Sequence, residues 1–154
     1  MIDLDKIDHA ILRELQADGR LSNVELAARI HLSESACLRR VRLLEERGVV
    51  ECFTLLVNPL AVGLGGTVFA EITLSSQKQV ELDAFERAVR AVPEVMECYL
   101  ITGEYDYLLR IVVRDTVDYE RIHHEHLTKL PGVARVKSSF TLRTVAKKTD
   151  LPLR

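Results

Sequence analysis

Between Ser33 and Arg47 the chain reads SESACLRRVRLLEER, with three guanidiniums, Arg39, Arg40 and Arg42, on one short stretch of helical pattern. A guanidinium is always charged and carries a planar fork of donors, which suits bidentate pairing with guanine and contact with phosphate. Cys37, Val41 and Leu44 recur at i, i+4 and i+7, so they turn to a core and leave the arginines on other faces. Ser35, Ala36 and Leu38 lie near the N-terminal end, where a helix docked in a major groove meets base edges, and Ala36 and Leu38 offer apolar surface to thymine methyls. Ser33 at the helix start and Arg47 at its end, facing the backbone, complete the candidate nucleic-acid contacts. A merely solvated face, with Glu45 and Glu46 offsetting the charge, is the bland alternative. Agreement between caps, turn length and basic face favours DNA binding over it.

A second constellation is the loop Thr102-Gly103-Glu104-Tyr105-Asp106. A small ligand carrying both an ammonium and a carboxylate would need an acceptor for the first, donors for the second and room for its side chain. Asp106 or Glu104 supplies the first, the amides flanking Gly103 the second, and Tyr105 a wall. From the residues alone, an ordinary hairpin turn with two solvated carboxylates is the simpler reading. Ser138 and Ser139 are weaker candidates for the same pocket. A third cluster, His123-His124-Glu125-His126, puts His123 and His126 on the helix face of Tyr119 and Leu130. Two imidazoles at i, i+3 without an evident further ligand are better read as hydrogen-bonded or interface histidines than as a metal site, and no cofactor is expected. Cys37, Cys52 and Cys98 lack CxxC or finger spacing and read as reduced, buried or half-buried apolar residues. No nucleophile elbow, Gly-rich phosphate loop or metal-protease spacing appears, so an enzyme is not expected.

The basic helix needs a partner to hold it. Ser22 and Glu25 form a capping box, with Leu21 and Leu26 as a hydrophobic staple, and Leu26, Ala27 and Ile30 make a narrow buried stripe. Ser33 caps the next helix, with Leu32 and Cys37 as a second staple, leaving the short turn of a helix-turn-helix. His31 takes the place usually held by glycine there, and His tolerates positive φ. Asp5 caps a first helix with Ile7, Ala10, Ile11 and Leu15 on its apolar side, ended by Gly19. The β-rich run Val49 to Val57 either covers this three-helix unit as a wing or leads away from it. Asn58-Pro59 and the glycines at 63, 65 and 66 then mark a boundary, placed at residues 60/61, so residues 1–60 form one domain and 61–154 the other.

Past the boundary the period becomes two. Val68, Ala70, Ile72 and Leu74 alternate with Thr67, Phe69, Glu71 and Thr73. Leu82, Phe85, Val89 and Val92 mark a helix, with Asp83/Arg87 and Glu86/Arg90 paired on its wet side. Strands over 95–102 and 106–113 flank the loop at Gly103 to Tyr105, a helix spans about 117–130, and a last strand lies within 133–145 with Val136, Phe140 and Leu142 on one side. The order is β-α-β-β-α-β, a ferredoxin-like arrangement with both helices on one sheet face. The fold class is therefore α+β, a winged helix-turn-helix followed by a ferredoxin-like domain. The open face, with Phe69 on it, calls for a second chain.

With 154 residues and 47% hydrophobic composition the chain suits two small domains, and its formal net charge of -2 removes any global attraction to nucleic acid. A DNA footprint must come from local arginine clustering. The charged N-terminus and the lack of any apolar run of spanning length fit a cytoplasmic protein with no membrane partner.

Over nearly its full length the chain resembles the Lrp/AsnC family of feast/famine transcriptional regulators. The matching stretches are LDKIDHAILRELQADGRLSNVELA, the LSxxxCLxRVRxLExxGVV pattern of Leu32 to Val50, TGEYDYLLRI from Thr102, LPGV at 130–133 and the tail VKSSFTLRTVAKKTDLPL. The resemblance implies regulation of transcription, double-stranded DNA as partner, dimers built through the sheets and octamers built from dimers. It further implies an amino-acid effector, leucine or another aliphatic amino acid, bound between dimers, control of amino-acid metabolism, and Thr102, Gly103, Tyr105 and Asp106 in the effector loop. Many members carry prolines where this chain has Glu34-Ser35-Ala36. Glu34 would repel phosphate or accept a hydrogen bond from cytosine. Two alternatives of other classes are a sirohaem-decarboxylase-like enzyme and a metabolite sensor that binds no DNA.

Overall fold

The computed structural model describes residues 2–153, which divide into two compact units. The chain up to Leu56 and the tail from Val145 make the helical unit; Val57–Thr144 make the sheet unit.

In the helical unit, α1 (Lys6–Ala17), α2 (Asn23–Arg29) and α3 (Glu34–Glu46) surround a core of Ile11, Leu12, Leu26, Ala27, Cys37 and Leu44. Each helix starts where a side chain can take its orphan amides. Asp5 Oδ1 accepts from Ile7 N and Asp8 N, both at 2.8 Å, Ser22 and Glu25 form the expected capping box, and Ser33 accepts from Ala36 N. α2 closes on His31, at φ 57°, with Leu32 N donating to Ala27 O at 3.0 Å. Gly48, at φ 69°, closes α3 in the same way, and Val49 N and Val50 N reach back to Leu44 O.

The β-rich run after Gly48 departs from expectation. Val49 and Val50 pack on the helical core, but no strand forms over 49–57, because its backbone makes no ladder pairing among the described residues. The tail also differs from its expected place with the sheet domain. Leu151 exchanges two hydrogen bonds with the Gln16 side chain, N to Oε1 at 2.7 Å and O from Nε2 at 3.3 Å, and Leu153 packs against the helical core.

The sheet unit runs β1 (Gly66–Leu74), α4 (Gln79–Val89), β2 (Val95–Leu100), β3 (Tyr107–Val113), α5 (Thr116–Glu125) and β4 (Val133–Phe140). Its strands lie in the order β2-β3-β1-β4, all neighbours antiparallel, which is the expected ferredoxin-like topology. β1 is central, and its inward residues Val68, Ala70 and Ile72 are fully buried. They meet Phe85, Val89, Tyr119 and Ile122 of the two helices in one core. Tyr107 stacks on Phe85 with ring centroids 4.5 Å apart, and its hydroxyl donates to Glu86 Oε1 at 2.9 Å. Two local expectations change. Leu142 lies beyond β4 and is exposed, and Asp83 accepts from Gln79 rather than pairing with Arg87.

A left-handed conformation costs an L-residue about 1 kcal/mol. His31→Gly is therefore expected to raise the thermal midpoint of the helical unit by a few degrees in differential scanning calorimetry. A lower midpoint would mean that the freedom of glycine in the unfolded chain outweighs the strain at the turn.

Candidate nucleic-acid interface and effector loop

The second helix-turn-helix segment, α3, divides as its spacing demands. Cys37 and Leu44 are buried, while Ser35, Leu38, Arg39 and Arg42 form a continuous exposed stripe at i, i+3, i+4 and i+7. Asn23 Nδ2 donates to Glu34 O at 2.9 Å and pins the start of α3 to α2. Along this stripe runs an open cleft of about 730 Å³, into which Ser35, Leu38, Arg39, Arg40, Arg42 and Arg47 converge. Ser33 lines a neighbouring cleft with Asn23, Leu32 and Glu34, and Ala36 is half-buried between the two faces.

Arg40, one of the expected base or phosphate contacts, is paired within the chain. Its Nη1 donates to Asp5 Oδ2 and to Asp8 Oδ1, each at 2.7 Å. The cleft is also lined by acidic residues, Asp3, Asp5 and Asp8 before or in α1 and Glu46 at the end of α3. Sequence reasoning missed this partnership, although the two aspartates at i, i+3 were its visible signal.

In the effector loop, Thr102, Gly103 and Glu104 are exposed and Tyr105 is half-buried. Gly103 has φ 138°, a conformation that side chains rarely adopt. Asp106, expected as a free acceptor for an ammonium, is instead buried, and both its oxygens are engaged. Oδ2 accepts from Leu74 N at 2.7 Å and Oδ1 from Gln77 Nε2 at 2.6 Å, while its own N donates to Ile72 O. The residue braces the loop against the end of β1. Gln77 is a second functional neighbour that the sequence did not flag.

The remaining candidates fall into structural roles. Ser138 is hydrogen-bonded to the Tyr119 hydroxyl, Phe140 packs edge-on against Tyr119, and His123 lies 6.0 Å from the same ring. Among the described residues no three His, Cys, Asp or Glu side chains converge as a metal site. Burial raises the Cys37 thiol and pushes that of Cys98 up to about 11, whereas Cys52 is exposed, contrary to expectation. No helix among the described residues is long and apolar enough to cross a membrane.

A capped three-helix reader joined to a ferredoxin-like sheet defines a two-domain regulator, and comparison with known proteins gives the class its family. Residues 4–51 match the model of a winged helix-turn-helix DNA-binding domain, and residues 67–151 that of the Lrp/AsnC ligand-binding domain. The chain belongs to the Lrp/AsnC family and is a ligand-responsive, DNA-binding transcription regulator. It is 41% identical to the leucine-responsive regulatory protein of Escherichia coli over 152 residues, covering 99% of this chain and 93% of that one. A transcriptional regulator of Neisseria meningitidis, solved as its L-Met complex, superposes with TM-score 0.92 at 39% identity, covering 98% and 97% of the two chains. A feast or famine regulatory protein of M. tuberculosis, complexed with L-methionine, does so with TM-score 0.86 at 36% identity, covering 94% and 96%.

Two outcomes follow from the geometry. The backbone amide of Asp8, and then the Arg40 guanidinium, hold the Asp5 carboxyl below its usual range. A folded value below the unfolded one gives stability that is complete above the unfolded carboxylate range, near pH 4, and is lost as pH falls through the folded value. Acid titration below about pH 4 should therefore weaken the helical unit, and Asp5→Asn should flatten that limb. Asp106→Ala strands the amide of Leu74, which is 6% exposed, and should cost the sheet unit about 2 kcal/mol in urea unfolding. A loss within 0.5 kcal/mol, about the error expected of a surface change, would show that the brace is replaceable.

Proposed function

We propose that this chain regulates transcription of amino-acid metabolism genes, reading DNA with α3 and sensing a free amino acid at the β2–β3 loop. The observation that carries the proposal is the exposed stripe Ser35, Leu38, Arg39 and Arg42 on a helix whose opposite side is sealed into a core. Ser35 and Leu38 stand at base edges, with Ser33 and Ala36 beside them, Arg39 at a base or phosphate, and Arg42 and Arg47 on the backbone.

Support for the effector comes from the relatives. One is named for leucine and two were solved with methionine, so an aliphatic or thioether side chain is the class to expect. Thr102, Gly103, Glu104 and Tyr105 supply the edge of the site, with Glu104 taking the ammonium and the buried Asp106 bracing the loop.

Assembly follows from the sheet. Both helices cover one face, and the other carries Phe69, Leu108, Val112 and Tyr99 between the ion pairs Arg110–Glu97 at 2.7 Å and Lys137–Glu71 at 3.0 Å. We assign this face to a homodimer, with dimers assembling to an octamer in the cytoplasm and the amino acid bound between dimers. The effector acts by preferring one assembly or spacing of recognition helices over another. The role is binding, not catalysis.

Fluorescence anisotropy on duplex DNA at fixed salt, with and without each of the twenty amino acids, tests both halves. Binding changed by one or a few aliphatic amino acids is the expected result. Gly103→Val should weaken that response and spare DNA binding in the absence of effector. Affinity equal on every duplex and indifferent to every amino acid would overturn the proposal.

A further inference from the structure

All four carboxylate oxygens of Asp5 and Asp8 are engaged. Asp5 Oδ1 caps α1 and Asp8 Oδ2 returns the box to Asp5 N at 3.3 Å, while the other two oxygens, Asp5 Oδ2 and Asp8 Oδ1, hold Arg40. The N-terminal cap of one helix is thus closed by a guanidinium from another, 32 residues on from Asp8.

We infer that Arg40 is a positioning residue: it fixes the rotation and height of the recognition helix by locking it to the α1 cap, and it makes no contact with DNA. This rests on the DNA-binding reading above. Three observations carry it. Asp8 is only 9% exposed, so drawing Arg40 away to a phosphate would leave a buried carboxylate without its counter-charge. Arg40 with Asp5 and Asp8 sums to a net negative site beside Asp3, which repels phosphate. The basic residues that are exposed, Arg39, Arg42 and Arg47, have no ion-pair partner within 4.0 Å among the described residues, whereas the Arg40 side chain is 28% exposed and its Nη1 donates to an oxygen of each aspartate.

The chemistry divides the arginines of one helix into two kinds. Arg39 and Arg42 are available to the nucleic acid. Arg40 aims them. The acidic residues, in turn, bar phosphate from the α1 side of the cleft and restrict how the helix enters the groove. Loss of Arg40 should then blur sequence discrimination while leaving the number of neutralised phosphates unchanged.

The test uses the full chain and a duplex selected by the wild-type protein from a random pool, against an unselected duplex, over a salt series. Arg40→Met is expected to weaken binding to the selected duplex about tenfold and to leave both the unselected affinity and the salt slope unchanged. Asp8→Asn should weaken binding to the selected duplex likewise, and on that duplex the double variant should be no worse than either single one. Arg39→Ala, by contrast, should lower the slope by about one. Should Arg40→Met fail to fold by circular dichroism, Arg40→Lys and Asp5→Asn replace it, with partial loss of discrimination expected. A slope reduced by one in the Arg40 variant would make Arg40 a phosphate contact and overturn the inference. So would a lowered melting point with discrimination intact. A wild-type chain that discriminates between no duplexes would instead overturn the DNA-binding reading itself.

Discussion

A helix of 13 residues is marginal alone in water, yet a DNA reader needs it at a fixed angle. The rigidity of α3 must therefore be borrowed, and most of the helical unit is arranged to lend it. Cys37 and Leu44 seat one side in the core, Asn23 pins its first turn, and the Gly48 closure ties its last turn to Val49 and Val50. The exposed stripe is what remains when those demands are met. Its chemistry follows from placement as much as from residue type, as the differing fates of Arg39 and Arg40 show.

The sheet unit solves a different problem. β1 pairs on both sides and buries every second side chain completely, so its register is fixed by the helices above it. Its other face is mixed: aromatic and aliphatic groups sit between rows of paired charges. Such a surface sets apolar area among charges that water can solvate. Asp106 joins this core to the loop that samples the solvent, because one carboxylate holds the end of β1, the Gln77 side chain and the loop itself.

What the sequence disclosed was whatever depends on short-range chemistry. The caps at Asp5, Ser22 and Ser33, the left-handed His31 and the two-residue alternation of β1 each involve neighbours within a turn or a strand, and all stand in the structure. What it concealed depends on side chains far apart in the chain. An arginine on a basic helix looks exposed until two aspartates 32 and 35 residues earlier are seen to claim it. A carboxylate beside a glycine looks solvated until the sheet folds over it. The run from Val49 to Val57 shows the converse: strand propensity without a ladder partner gives no strand.

The tail carries a consequence for the order of assembly. The helical unit is discontinuous, since Gln16 and Leu151, 135 residues apart, share two hydrogen bonds and Leu153 packs on a core that Ile11 begins. During synthesis the three helices leave the ribosome first but wait for their last packing contact until the whole sheet unit has been made. The sheet unit is one unbroken stretch and needs no such wait. Closing the outer unit is then a ring closure in which an already folded body replaces most of the slack chain, which lowers the entropy lost at that step. The unit that reads DNA thus begins before the sheet unit and is completed after it.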